Sequence, residues 1–344
     1  MSSDLLVRPL TESDYGAWLR LVSTAPSGSV YATPDYLSVL CQVTAAQFRI
    51  IGVFKGTELL GGMPLFETAS RVGTVAANRL LLYYHSPVIR EYATTYPSER
   101  TSRQLSIIQS LVNYLKEQPL AHLLLHMRHP ISDVRPFLQS GWSVRPNFSY
   151  IVSIADLNAA WGRIEQNLRR LVDRADSNGI VMTEDDDFDS FYRLHLDTHK
   201  RKGAPLYLQP KPFEQYYRLL REKKLGQLFH ARSADGNVIA TQLVLLGPNP
   251  VCHIVCAAAD AESLSLGSTP FLRWKAFQVL AKMGYKGVDL TDAALNDVTR
   301  FKSQLGGDLV TNWVVVRPET AKYRLYTRAV AAINKARRMV RRSR

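Results

Sequence analysis

One order of elements occurs twice along the chain, and it constrains the fold more than any single motif does. In the first half, VRPLTESD reads as a short strand running into a helix start, with Thr11 or Ser13 as cap and acids in the first turn. ATPDYLSVLCQV reads as a second helix, with Pro34 early, where a missing N–H costs little. FRIIGVFKGTELLGGMPLFE gives two strands around a Lys-Gly turn, and RLLLYYHSPVI a third apolar strand. SRQLSIIQSLVNYLKEQ has Leu105, Ile108, Leu111, Val112 and Leu115 at the spacing of one buried helical face. AHLLLHM is a buried strand, ISDVRPFLQSG a short helix, and WSVRPNFSYIVSI a closing strand pair.

The second half repeats that order. GIVMTEDD is a strand, FDSFYRLHLDTHKR and KPFEQYYRLLREKK are helices, and GQLFHARSADGNVIATQLVLLG is a hairpin turning at Asp235-Gly236. VCHIVCAAAD, GVDLTDA and DLVTNWVVVRP are strands, separated by helices at SLGSTPFLRWKAFQVLAKMG and LNDVTRFKSQLG. Between the halves, AAWGRIEQNLRRLVDRADSNG makes an amphipathic connecting helix that ends at Gly179. A chain of 344 residues exceeds what one hydrophobic core usually supports, so two domains are expected.

Charge is uneven. Residues 1–150 carry 13 basic and 10 acidic side chains, residues 151–316 carry 20 and 19, and residues 317–344 carry 10 and 1, so the last segment holds +9 of the +13. No apolar run approaches the roughly 20 residues that span a bilayer, and the start carries acids rather than a signal-peptide core. Cys41, Cys252 and Cys256 contain no CxxC pair, which argues against a disulfide framework or zinc cage and fits a reducing compartment. A cytoplasmic location is expected, with the inner membrane face as a place of peripheral attachment. His195 and His199 stand at i and i+4, but no third ligand accompanies them, so no metal is expected.

The order strand, helix, helix, hairpin, strand, helix, strand, helix, strand resembles the GNAT acyltransferase fold. Two such units joined by a basic helix resemble the Fem family of peptidyltransferases. The resemblance spans nearly the whole chain and is carried most by RRLVDRADSNGI, DTHKRKGAP, WKAFQVLAKMGYKGVDL and RFKSQLGGD. It implies an α/β fold with mixed sheets: a GNAT-like domain over residues 1–155, a second over 156–318, and a basic amphipathic helix over 319–344.

Moving an acyl group to an amine needs a neutral amine, a positioned activated ester or thioester, and donors for the developing oxyanion. The chain has no G-x-S-x-G elbow, P-loop or dinucleotide glycine fingerprint, in keeping with direct transfer. Lys302, in Arg300-Phe301-Lys302, resembles the Phe-Lys of the Fem family, whose lysine is implicated near the acyl donor; the alternative is a helix-surface lysine. Phe301 would shape the pocket wall or pack in the core. Asp289, at the end of GVDLTDA, is expected to orient the incoming ammonium or accept its proton, with a turn hydrogen bond as the alternative. The segment Thr198-His199-Lys200-Arg201-Lys202-Gly203 is expected to bind anionic substrate groups near the groove, although cations at a helix C-terminus are also favoured by the dipole, and the following Tyr207 is expected to line the same cleft. Tyr84, His85 and Ser86 end an apolar strand that faces the presumed groove, or form a polar strand terminus.

In GNAT enzymes that use coenzyme A, a glycine-rich loop cradles the pyrophosphate at a helix N-terminus. The matching segment Leu264-Ser265-Leu266-Gly267-Ser268-Thr269 keeps Gly267 and Ser268 as candidate phosphate contacts but loses the leading polar residue and the final small one. That loss tilts the donor from acetyl-CoA towards aminoacyl-tRNA, with acyl-CoA retained as a possible co-substrate and no permanently bound cofactor. The acceptor implied is an amine of a cell-envelope or glycan precursor. For residues 319–344 three roles compete: docking on the protein body, lying on an anionic membrane surface, or gripping tRNA phosphates. The contrasting reading of the whole chain is a non-catalytic GNAT-like binding module, recruited to membrane or nucleic acid by that tail.

Overall fold

The computed structural model describes residues 5–78, 81–295 and 297–342. In the first half the strands are β1 (Leu6–Pro9), β2 (Ala46–Lys55), β3 (Glu58–Ser70), β4 (Gly73–Ala76), β5 (Val88–Ile89), β6 (Leu120–Met127) and β7 (Ser143–Ser153). Its helices are α1 (Tyr15–Thr24), α2 (Pro34–Val43), α3 (Pro97–Lys116) and α4 (Arg135–Gln139). The connection is two helices, α5 (Leu157–Arg163) and α6 (Gln166–Ser177). The second half has strands β8 (Val181–Thr183), β9 (Gly226–Arg232), β10 (Val238–Leu245), β11 (Val251–Ala259), β12 (Gly287–Asp289) and β13 (Asp308–Val316). Its helices are α7 (Phe188–Lys202), α8 (Pro210–Glu222), α9 (Ser268–Lys282) and α10 (Asp297–Ser303), and α11 (Ala321–Arg342) closes the chain.

Local chemistry explains most of these limits. Thr33 caps α2, its hydroxyl accepting from Tyr36 N at 3.3 Å, with Pro34 at the first helical position. Gly203, at φ 61°, terminates α7 in the left-handed conformation that glycine adopts without a Cβ penalty. The predicted strand RLLLYYHSPVI is largely absent: only Val88–Ile89 pairs as a strand, and Arg79 and Leu80 lie outside the described residues. His85 accounts for the difference, because its Nε2 accepts from Phe66 N at 3.0 Å, a bond that a neighbouring strand would otherwise supply. The expected strand pair at 142–154 is one long strand, and the expected single connecting helix breaks between Arg163 and Gln166. Asn296, in the predicted helix before Phe301, and residues 343–344 of the tail also lie outside the described residues.

All the strands share one sheet, in the order β1-β2-β3-β4-β6-β13-β7-β12-β11-β10-β9-β8, with β5 against β3. The halves exchange their last strands. β7 pairs with β12 and β13, while β13 lies antiparallel between β6 and β7. One hydrophobic cluster likewise draws on both halves, joining Trp18, Tyr36 and Phe66 to Phe191, Tyr216 and Leu243. Among the described residues no helix is long and apolar enough to cross a membrane.

Candidate functional site

β11 and β12 run parallel only from Val251/Gly287 to His253/Asp289. Beyond that point β11 continues to Ala259 while the chain after β12 turns away. Thr291 and Asp292 make that turn with φ of 47° and 38°, left-handed values that cost non-glycine residues roughly 1–3 kcal/mol each and persist only where surroundings impose them. The imposing contacts are visible: Thr291 N donates to Asp289 Oδ1 at 2.8 Å, and Thr291 Oγ1 donates to Ile254 O at 3.0 Å. On the other side of β11, Cys256 lies opposite Leu243 and Ile254 opposite Val244, so Val255 is bulged out of the ladder.

The strands therefore splay into a cavity of about 280 Å³, lined by Ile254 to Ala257, the turn at Leu290–Asp292, and side chains from α7, α9 and α10. α7 contributes His195, Thr198, His199 and Lys202, the i, i+3, i+4, i+7 stripe of one helical face. His195 is buried with Nε2 unpartnered, and burial together with the neighbouring His199 lowers its pKa to about 4, so it is a neutral imidazole at neutral pH. Thr198 Oγ1 is likewise buried without a partner. Tyr83 and Tyr207 meet across the opening, hydroxyls 3.5 Å apart, and Tyr83 also donates to Val255 O at 3.4 Å.

Lys302, on α10, donates to Asp292 O at 2.6 Å and to Thr291 O. An ammonium has three donors, so one remains for a ligand. Burial, reinforced by the charge of Arg273, lowers the Lys302 pKa to about 8. Cys256 also lines the cavity, but burial pushes its thiol far above neutral pH, so it is not a thiolate nucleophile.

Of the residues singled out in the sequence, the structure brings Thr198, Tyr207 and Lys302 into this cavity. Lys200 and Arg201 point instead to the exposed side of the last turn of α7, where they suit the helix dipole. Phe301 is half-buried against the core of the second half. Asp289 does not line the cavity; it is 0% exposed, takes a hydrogen bond from Tyr84 Oη at 3.0 Å, and lies 3.8 Å from Arg128 Nε and 3.5 Å from His253 Nδ1. Burial alone would raise its pKa, but His253, Arg128 and the Thr291 N–H together hold it below the usual carboxylate range. It is an ionised strut and shapes the turn that carries the Lys302 acceptors. Tyr84, His85 and Ser86 form the same buried seam, Ser86 Oγ accepting from Arg128 N at 3.0 Å.

Gly267 and Ser268 also lie away from the cavity lining. Gly267 has φ 80°, and a Cβ there would stand 2.3 Å from Leu171 O on α6, so the glycine meets a packing demand. Ser268 Oγ is spent on Ser263 O at 3.1 Å, and Pro270 removes one N–H from the first turn of α9. Arg273 escaped the sequence analysis, whereas His195 entered it only as half of a metal pair and Lys202 only as part of DTHKRKGAP. The helical spacing from Thr198 picks out Lys202 rather than Lys200 or Arg201, whereas Arg273 stands among the buried Phe271, Leu272 and Trp274 of α9. Among the described residues no group of three His, Cys, Asp or Glu could hold a metal ion.

Of three comparisons with known proteins, two found similarity. The model of the acetyltransferase (GNAT) domain matches residues 162–303, the segment that carries β11, β12, α9 and α10. Among solved structures, FemX is similar over 90% of this chain and 96% of its own, with TM-score 0.68 at 13% identity. The C-terminal domain of a putative lysylphosphatidylglycerol synthetase from Agrobacterium fabrum covers 92% of this chain and 96% of its own, with TM-score 0.57 at 13% identity. A tandem GNAT protein from the clavulanic acid biosynthesis pathway covers 92% and 98%, with TM-score 0.53 at 12% identity. No curated protein matches by sequence. Residues 162–303 thus match the GNAT acetyltransferase domain model, and the chain as a whole shares the fold of FemX and of the tandem GNAT protein.

Proposed function

We propose that the chain is an acyl- or aminoacyl-transferase that moves an acyl group to the amine of a cell-envelope or polysaccharide precursor, with the β11/β12 cleft as its transfer site. The observation that carries this reading is the splay itself, which leaves β11 beyond His253 without a strand partner on its β12 side, opposite an ammonium with a donor to spare. In the reaction the amine nitrogen attacks the acyl carbonyl carbon. Negative charge collects on the carbonyl oxygen, where β11 N–H groups and Lys302 stabilise it, and collapse expels the thiolate or alkoxide of the donor, which takes up the proton that the amine gives up. The unpartnered Nε2 of His195 accepts a hydrogen bond from the amine and aligns it. The Cys256 thiol, held protonated by burial, does not take the acyl group in this reading.

GNAT domains take their acyl group from acyl-CoA, which supports that donor. The packed Gly267 turn and Pro270 leave a poor pyrophosphate cradle, which favours an aminoacyl-tRNA. The name of the lysylphosphatidylglycerol synthetase neighbour adds weight to an envelope acceptor. The test is a transfer assay with both donors and Lys302→Ala. A loss of about 10²–10³ in kcat/KM is expected; activity within about threefold of wild type, under ~0.7 kcal/mol, removes Lys302 from the mechanism.

The tail fits work at a membrane surface. Its start is fastened to the body: Arg317 Nη1 donates to Leu115 O at 2.8 Å and Gln118 O at 2.9 Å, and Tyr323 stacks on His122 at 4.9 Å between centroids. Farther along α11, Leu325 is 68% and Ile333 53% exposed, two turns apart on one face, while Arg324 and Arg328 occupy another. An exposed apolar stripe beside a +9 charge suits an anionic bilayer. Deleting residues 335–344 should reduce co-sedimentation with anionic vesicles at low salt, and unchanged sedimentation would sink this placement.

A further inference from the structure

Arg273 is a buried cation without an anion. It stands on α9, 7% exposed, and its guanidinium donates to the side-chain oxygen of Gln242. Among the described residues no carboxylate pairs with it. Burial lowers its pKa to about 10, so it stays charged at neutral pH. Lys302 and Lys202 line the same cavity, and among the described residues Asp292 is the only carboxylate in that lining. Asp289, nearby, is already committed to Tyr84, Arg128 and Thr291. Thr198 and His195 add two buried polar atoms with no protein partner. Buried charges and polar groups are costly unless paired, and a fold that gathers several of them around one cavity leaves the pairing to a ligand.

We infer that the cleft carries an oxyanion subsite, built by Arg273 with Lys202 beside the Lys302 ammonium, which takes a carboxylate or phosphate group of the substrate. The inference rests on the reading of this cleft as the transfer site and names what that site recognises. Arg273 suits the role because its planar fork grips carboxylate and phosphate through two parallel hydrogen bonds, and Gln242 fixes the plane of that fork. A bound oxyanion also bears on Lys302. Arg273 and Lys202 lower the lysine pKa after burial, whereas Asp292 and Asp289 raise it, so an added anion shifts it up.

The test needs no acyl donor, so its failure leaves the transfer assay standing. The full-length chain is titrated with sodium phosphate and with sodium acetate, against sodium chloride at equal ionic strength, and thermal stability is followed. Wild type is expected to be stabilised by at least one of the two. Arg273→Met should bind that anion about tenfold or more weakly, as loss of a charge-assisted pair implies, while its ligand-free stability equals or exceeds wild type. Arg273→Lys should keep part of the response. A response to phosphate alone assigns a phosphate, one to acetate alone a carboxylate, and one to both an unselective oxyanion subsite. The inference is overturned if neither anion stabilises wild type beyond chloride, or if Arg273→Met keeps the full response. Should Arg273→Met fail to fold, the wild type still decides: the midpoint of Lys302 modification against pH, followed by mass spectrometry, must move upward with the stabilising anion, and an unmoved midpoint overturns the subsite.

Discussion

Replacing Asp289 with alanine removes the carboxylate around which the two halves meet. Its partners are Tyr84 and Arg128 from the first half and His253 and Thr291 from the second, and Arg128 is only 2% exposed. Arg128 would keep carbonyl contacts to Pro26, at 3.1 Å, and Gly28, at 3.2 Å, but lose its only opposite charge among the described residues. Removing one member of a buried ion pair costs about 3–5 kcal/mol, with the orphaned Thr291 N–H, and a Tyr84 hydroxyl left only the 3.5 Å contact to Ser149 Oγ, pushing towards the upper end. At about 2 °C per kcal/mol for a long chain, the melting temperature should fall by about 6–10 °C. Removing both charges, with Asp289→Ala and Arg128→Met together, should recover more than half of the loss. The pH dependence has a definite sign. Asp289 has a folded pKa depressed below the unfolded value of about 4, so its stabilisation is complete above pH 4–5 and disappears as pH falls towards about 2. Wild type and Asp289→Ala should therefore differ by a constant amount from pH 5 to 8 and converge in acid, as read by denaturant unfolding. A loss below about 1 kcal/mol at pH 7, or a double variant no better than the single one, refutes the strut.

Three further outcomes follow from the site. If Lys302 acts as the ammonium, kcat/KM for transfer should fall as pH rises through about 8, and Lys302→Arg should move that limb upward; a limb left in place by Lys302→Arg assigns the titration to another group. Gly267→Ala should lose about 2 kcal/mol or more in denaturant unfolding, because φ 80° and the Leu171 carbonyl both reject a Cβ; unchanged stability would show that α6 does not press on this turn. Cys256→Ala should transfer within about threefold of wild type, since the buried thiol is neither ionised nor positioned by a base, and a hundredfold loss would point to an acyl-enzyme.

The order of elements was legible because helical and strand periodicities, turn glycines and caps are local signals. Lys55-Gly56, Asp235-Gly236 and Pro34 each mark what the structure builds there. Non-local pairing was not legible. Nothing in WSVRPNFSYIVSI says that its neighbours come from the second half, and the apolar run before Pro87 looked like a strand because burial, not pairing, made it apolar. The same limit governs the site. Lys302 was found through its resemblance and Thr198 through its neighbourhood, but Asp289 reads identically in sequence whether it faces substrate or a buried arginine. Arg273 carries no local mark of function, because what distinguishes it is a missing partner, a property of the packed interior alone.

The exchange of β7 and β13 has a consequence for how the chain is made. A ribosome delivers β6 and β7 long before β13, so the first half emerges with one edge of β6 bare and with β7 lacking both neighbours, β12 and β13. Bare strand edges pair readily with other chains. Some 160 residues of synthesis separate Ser153 from the end of β13 at Val316, at roughly 5–20 residues per second. For seconds, then, the nascent protein depends on something other than its own sheet to keep β7 from the wrong partner, and slowing or truncating synthesis within the second half should release an aggregating product rather than a folded first domain.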